Sequence, residues 1–167
     1  DPWKLYFHQS DVDSLRLQRN DLDDQIRQGN VEFAFTAVNL LRQRIEQRQG
    51  LVDELLGAEH DFTAAEKTVM DRDLHGYAQD EADARDRWRK QIKFDLLLLK
   101  AGGMKRQEAV ERLKQRYRRF AEQIRQAQGN ELLEMYLTSL ARAFDPHSAY
   151  MSPETVARFN IGLVRPA

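Results

Sequence analysis

The chain predicts an all-α domain, an irregular bundle of roughly five or six helices, and three observations carry that prediction. Apolar residues recur at three- and four-residue intervals along most of its 167 residues. No long stretch alternates with period two, so a sheet has nothing to build on, and Trp3 to Phe7 could at most form a short extended N-terminal segment. Gly-Asn, Gly-Gly and Pro steps punctuate the periodic stretches where helices should stop and start.

Taken in order, Ser10 with Asp13 reads as an acidic variant of the capping box. Val12, Leu15, Leu22 and Ile26 then share one face of a first helix running to Gly29. Gly29-Asn30 is a stop followed by a start, a left-handed glycine and then a capping asparagine, and Gly129-Asn130 repeats it. From Val31 a single stripe of Phe35, Val38, Leu41, Ile45, Val52 and Leu55 extends to about Gly57, roughly 40 Å of helix at 1.5 Å per residue. This is the scaffold element. Between Gly57 and Tyr77 the pattern weakens into a surface excursion, within which Thr63-Ala64-Ala65-Glu66 matches a capping box able to seed a short helix.

Asp80 to Leu99 regains helical spacing through Ala84, Trp88, Ile92 and Leu96, and Gly102-Gly103 stops it. Phe94 and the leucines from Leu96 to Leu99 spread over more than one face, which fits either a central helix or an uncovered partner surface. Lys105 to Gln128 carries Val110, Leu113, Tyr117, Phe120 and Ile124 as a heptad-like seam, and Asn130 to Phe144 follows with Leu133, Tyr136, Leu137, Leu140 and Phe144. Asp145-Pro146 ends that helix, because proline lacks the N–H of a helix interior and pushes its predecessor out of α geometry. Ser152-Pro153-Glu154 opens another: serine caps, proline takes the first helical position, and glutamate meets the positive end of the dipole.

Composition bounds the function. A chain of 167 residues buries enough surface for one core without staples. The absence of cysteine removes disulfides, thiolate metal sites and cysteine nucleophiles. A net charge of −1 with 32% charged residues describes a dense, balanced surface, unlike that of a globally basic nucleic-acid binder. The apolar run Leu96 to Leu99 is far too short to span a membrane. One segment is unbalanced: Lys105 to Arg125 holds eight basic residues against Glu108, Glu111 and Glu122. Such a face could engage an acidic partner or nucleic acid as a stand-alone interaction module. Its alternative is a solvated face whose charges pair internally, Glu108 with Arg112 or with acids between Asp11 and Asp24.

Asp145, His147 and Ser148 are the residue types of a hydrolytic triad. Near neighbours along one turn cannot converge as nucleophile, base and orienter, so they read instead as turn formers. His60-Asp61, with Asp71-Arg72-Asp73 and His75, lacks the histidine spacing of a helical metal site and reads as loop. No cofactor is expected.

Two segments carry a family resemblance. Phe144-Asp145-Pro146-His147-Ser148-Ala149-Tyr150-Met151-Ser152-Pro153 resembles the motif that closes the N-terminal helical region of the carboxyl-terminal processing (tail-specific) serine proteases, just before a PDZ domain. Asp1-Pro2-Trp3-Lys4-Leu5-Tyr6-Phe7-His8-Gln9-Ser10-Asp11 resembles a segment near the start of that region in the larger, periplasmic members. The resemblance implies an N-terminal helical domain over residues 1–160, with residues 161–167 beginning the connection to a PDZ domain. It also implies a parent enzyme that binds protein substrates by their C-terminal tails and cleaves with a serine–lysine dyad beyond Ala167. The domain itself would be non-catalytic. Its partners would be the PDZ and catalytic domains of the same polypeptide, an adaptor or a second copy, with neither nucleic acid nor a membrane span. Phe144, Asp145, Pro146, His147, Ser148, Tyr150, Met151, Ser152 and Pro153 would form the interdomain junction, packed on Trp3, Tyr6 and Phe7. Asp1, Pro2, Lys4, Tyr6, Phe7, Ser10 and Asp11 would form the second family motif.

Overall fold

A computed structural model describes residues 1, 3–64, 66, 67, 74 and 76–163, with residues 161–163 described by their backbone. Seven helices occur among them, in the order α1 (Gln9–Arg16), α2 (Leu22–Arg27), α3 (Glu32–Gly57), α4 (Glu81–Ala101), α5 (Arg106–Gln126), α6 (Asn130–Phe144) and α7 (Pro153–Leu163). No strand occurs among the described residues, and the segment from Trp3 to Phe7 is a turn rather than an extended chain. A parallel bridge joins His8 to Ala78, with the Gln9 amide donating to the Ala78 carbonyl at 2.8 Å.

The bundle is α3, α4 and α5 packed on one another, with α6 against α3, where Phe33 meets Tyr136. Trp88, Ile92 and Leu96 of α4 meet Val52, Leu55 and Leu56 of α3 and Ala109 and Leu113 of α5 in one buried cluster. Leu41, Ile45, Ala121 and Ile124 continue it as a second. The i, i+3/i+4 spacing predicts the stripe of α5 and that of α3 from Leu41 onward, whereas Phe35, expected at its start, is 43% exposed and Ala34 is buried in its stead. Trp88 is fully buried, its indole N–H donating to the Leu5 carbonyl at 2.9 Å and its ring 5.1 Å from Tyr6 and 5.4 Å from Tyr117. On α4 the core face is therefore complete, while Leu97 and Leu98 point outward, so this helix is covered on one side and open on the other.

Several boundaries differ from the sequence reading, each for a local reason. The expected helix from Ser10 to Gly29 is two helices, because i to i+3 hydrogen bonds at Leu17, Gln18, Arg19 and Asp21 turn the chain between them. The box that starts α1 sits two residues earlier than Ser10 and Asp13: the His8 amide donates to the Asp11 carboxylate at 2.8 Å. Gly29 has the expected positive φ of 71°, and the Asn30 side chain accepts from the Glu32 amide at 2.9 Å. At the second Gly-Asn step Gly129 has φ 50° and ψ −114°, outside the left-handed helical well. Asn130 lies inside α6 and makes no cap. The described residues 63, 64, 66 and 67 are not helical, so the Thr63 box seeds nothing there, and Ala65 lies outside the described residues. Thr63 instead bonds back to the Asp61 carboxylate, and Glu66 is tied to α4 through Arg89 and Lys93 at 2.6 Å each.

Candidate functional site

The two family segments serve different ends of the domain. At the start, the Asp1 carboxylate accepts from three successive amides, Leu5 at 3.0 Å and Tyr6 and Phe7 at 2.9 Å each. This side chain closes the turn, Lys4 takes φ 52° within it, and the following aromatics are delivered to the core. Tyr6 lies between Trp88 and Phe120, with ring centroids 5.1 and 5.4 Å away, and burial pushes its phenol pKa up. Phe7 packs on the cluster of Leu41, Ile45, Ala121 and Ile124. The expectation that Tyr6 and Phe7 back the 144–153 segment is therefore corrected: they fill the main bundle. Pro2 lies outside the described residues, and Ser10 is exposed.

Directly after them comes a charged clasp that periodicity does not reveal. Asp11, on α1, accepts from the His8 amide at 2.8 Å and from both Nε and Nη2 of Arg44 at 2.8 and 2.9 Å. Arg48, also on α3 and 2% exposed, donates to His8 Nε2 at 2.6 Å and to the Glu81 carboxylate at the start of α4. A neutral imidazole fits this place, because Nε2 must offer its lone pair to the guanidinium. Burial, then the Arg44 and Arg48 charges, hold the His8 pKa below its ordinary value. Burial pushes the Asp11 carboxyl upward, but the Arg44 hydrogen bonds and the His8 amide outweigh it and leave the pKa lowered. Arg48 occupies a stripe position between Ile45 and Val52, and that is the one sequence signal that could have revealed it.

At the other end, α6 stops where Asp145-Pro146 requires, Asp145 being extended at φ −143° and ψ 116°. The Asp145 carboxylate accepts from the Ser148 hydroxyl at 2.7 Å and the His147 amide at 3.1 Å, and these bonds, the hydroxyl first, lower its pKa. Ser148 thus donates to the Asp145 carboxylate rather than to an imidazole, and the three triad-type residues form a closed turn. Thr138 Oγ1 on α6 then grips the backbone of Tyr150 twice, accepting from its amide at 3.1 Å and donating to its carbonyl at 3.2 Å. Ser152 is buried and caps α7, its Oγ accepting from the Thr155 amide at 3.2 Å. Glu134 of α6 binds this cap from below, accepting from the Ser152 amide at 3.2 Å, Ser152 Oγ at 3.3 Å and Thr155 Oγ1 at 3.0 Å. Pro153 is the first residue of α7, as expected.

While the backbone of this turn is pinned, its apolar side chains stay uncovered. Phe144 is 87% exposed, Phe159 55%, Met151 46% and Val156 41%. The expected core face of α6 is likewise half-open: Leu132 is buried, whereas Leu133, Tyr136, Leu137 and Leu140 are intermediate. Residues 161–163 continue α7, so a boundary after residue 160 falls inside a helix, and residues 164–167 lie outside the described residues.

Among the described residues, half of the eight basic residues of the 105–125 segment are in ion pairs. Arg116 pairs with buried Asp95, Arg118 with Asp53 at 3.6 Å, Arg106 with Glu59 at 3.7 Å and Lys114 with Glu111 at 3.7 Å. The expected partners, Glu108 for Arg112 and the acids from Asp11 to Asp24, are not the ones used; Asp11 is taken by Arg44. Among the described residues no cluster of His, Cys, Asp and Glu is arranged to hold a metal ion, and His60 bonds the Leu55 carbonyl at 2.8 Å. Asp71, Arg72, Asp73 and His75 lie outside the described residues. Among those described, no helix is long and apolar enough to cross a membrane.

The fold and its two ends define a class first: an all-α domain with a core-locking N-terminal turn and a capped, apolar-sided joint at its other end. The family model described as "Tail specific protease N-terminal domain" matches residues 1–154, which spans both segments. A similar curated protein is the tail-specific protease of Haemophilus influenzae (strain KW20 / Rd), 33% identical over 155 residues that cover 92% of this chain and 22% of that protein. The chain belongs to the tail-specific protease N-terminal domain family. It spans about a fifth of the length of that relative, at 22%.

Proposed function

We propose that this chain is the non-catalytic N-terminal scaffold of a longer tail-specific serine protease of the bacterial cell envelope, acting in the periplasm. In that reading a PDZ domain follows α7, takes the apolar C-terminal tails of protein substrates, and presents them to a serine–lysine dyad further along the polypeptide. The helical domain holds these parts in register and offers a surface for an adaptor or a second copy. The observation that carries the reading is the contrast at the α6–α7 joint. The turn backbone is held by Thr138 at Tyr150 and by Glu134 at Ser152, yet Phe144, Met151, Val156 and Phe159 face outward. A rigid turn with an uncovered apolar side is what an interdomain joint requires, because the missing neighbour supplies the burial.

The test uses the longer parent polypeptide and this chain side by side. Tyr150→Ala retains both backbone bonds to Thr138, and Pro146→Ala retains the Asp145 turn, so each alters the joint more than the bundle. Each variant is expected to lower kcat/KM of the parent on a peptide with an apolar C-terminal tail by roughly tenfold or more, with the melting temperature of the 167-residue chain nearly unchanged. Equal loss of thermal stability in chain and parent, with activity per folded molecule intact, would count against the proposal.

A further inference from the structure

A cleft far along the chain from the α6–α7 joint has no part in the reading above. It opens where the end of α4, the start of α5 and the segment after α3 meet, with a volume of about 460 Å³. The two clefts between α3 and α5 are smaller, at about 300 and 230 Å³. Its size falls in the range of small-molecule sites. Leu96 and Ala109, both buried, and Phe62 and Met104, half-buried, give it an apolar floor and wall.

Its polar lining is strongly one-sided. Lys100, Lys105 and Arg106 are exposed at its rim, against the one carboxylate of Glu59. Lys100 Nζ lies 5.1 Å from the centroid of the Phe62 ring, which keeps that charge over the apolar wall. Arg106 donates to the Ala58 carbonyl at 2.8 Å and stands 3.7 Å from Glu59, so Glu59 is partly neutralised already. Among the described residues the Lys105 ammonium has neither an ion pair nor a hydrogen bond. The His60 imidazole is engaged with the Leu55 carbonyl at 2.8 Å.

We propose that this cleft binds a fatty carboxylate, a short apolar tail ending in a carboxylate. A purely apolar guest would leave the cations unused, and a small inorganic anion would leave the Leu96, Met104 and Phe62 surface wet. The carboxyl terminus of a polypeptide is a poorer match, since the one side-chain carboxylate of the lining that could accept from its amide N–H, Glu59, already stands beside Arg106. In the bound form the tail lies on Leu96, Ala109 and Met104, and the carboxylate meets Lys100 and Lys105.

The experiment is a titration of the 167-residue chain, labelled at the methionine methyl groups, with octanoate, octanol and N-acetyl-leucine. Octanoate is expected to shift the Met104 signal saturably and to bind roughly tenfold more tightly than octanol. Lys105→Glu, which removes no side-chain bond among the described residues, is expected to weaken octanoate by a similar factor, and Lys100→Glu to add to the loss. Equal affinity for octanol, an unchanged affinity in Lys105→Glu, or no saturable shift would overturn the proposal. Tighter binding of N-acetyl-leucine than of octanoate would overturn it in favour of a site for polypeptide termini.

Discussion

Replacing Trp88 by alanine is expected to cost about 4 kcal/mol, the largest loss of any single truncation in this domain. The indole is 0% exposed. It is edge-on to both Tyr6 and Tyr117, and its N–H holds the Leu5 carbonyl at 2.9 Å. Its removal therefore opens a cavity among α3, α4 and α5 and also unhooks the N-terminal turn that Asp1 closes. For a chain of this size the loss corresponds to a fall in melting temperature of roughly 10 °C. Urea and thermal unfolding measure it, and a loss below about 1 kcal/mol would mean that Trp88 is not the keystone described. Trp88→Phe should recover most of the packing but not the bond to Leu5.

Asp11→Ala is expected to cost about 3 kcal/mol, because it leaves the buried His8 N–H without an acceptor and Arg44 without its bidentate partner. Asp11→Asn, which can still accept from His8, should lose less. The clasp also sets a pH dependence. Asp11 has a lowered folded pKa, so its contribution is complete above the ordinary carboxylate pKa of about 4 and is lost as pH falls through the lower folded value. His8 also has a lowered folded pKa, but it is a base. Below about pH 6.5 the unfolded chain takes up a proton that the folded site resists, so stability falls as pH drops from 7 toward the folded value and levels off beneath it. The groups facing His8 are Asp11 on α1, Arg44 and Arg48 on α3 and Glu81 on α4, so both signs are present and burial with the two cations prevails. His8→Gln should flatten the stability profile between pH 7 and 5. An unchanged slope there would remove His8 from the account.

These two sites differ in how much of them a sequence reader could see. Trp88, Ile92 and Leu96 are spaced as a helix face, and burial of an apolar stripe follows from the spacing alone. The ends of α3, α4 and α6 were equally legible, because glycine, Asp80 and Asp145-Pro146 act within a few residues of themselves. Asp80, read in the sequence only as the start of the helical spacing, caps α4 by accepting from the Asp83 amide at 2.8 Å. The clasp was not legible, since His8, Asp11, Arg48 and Glu81 are brought together by tertiary packing and charged residues are ordinarily assigned to the surface. Nor was the role of Asp1, whose carboxylate gathers three amides further along the chain.

The joint stands between these cases. Its cap at Ser152-Pro153 and its turn at Asp145 follow from local chemistry, while Glu134 and Thr138, which fasten the turn to α6, are two ordinary polar residues of a helix in the sequence. Phe144 keeps the period of α6 yet is 87% exposed; period alone says which residues share a side, not what lies opposite.

The most direct measurement of the central claim is amide hydrogen exchange over residues 150–160, compared between this 167-residue chain and the longer parent polypeptide. If the joint is a face that the rest of the enzyme covers, exchange around Met151, Val156 and Phe159 slows by roughly tenfold or more in the parent, while the α3–α5 core exchanges alike in both. Identical exchange at the joint in chain and parent would contradict it.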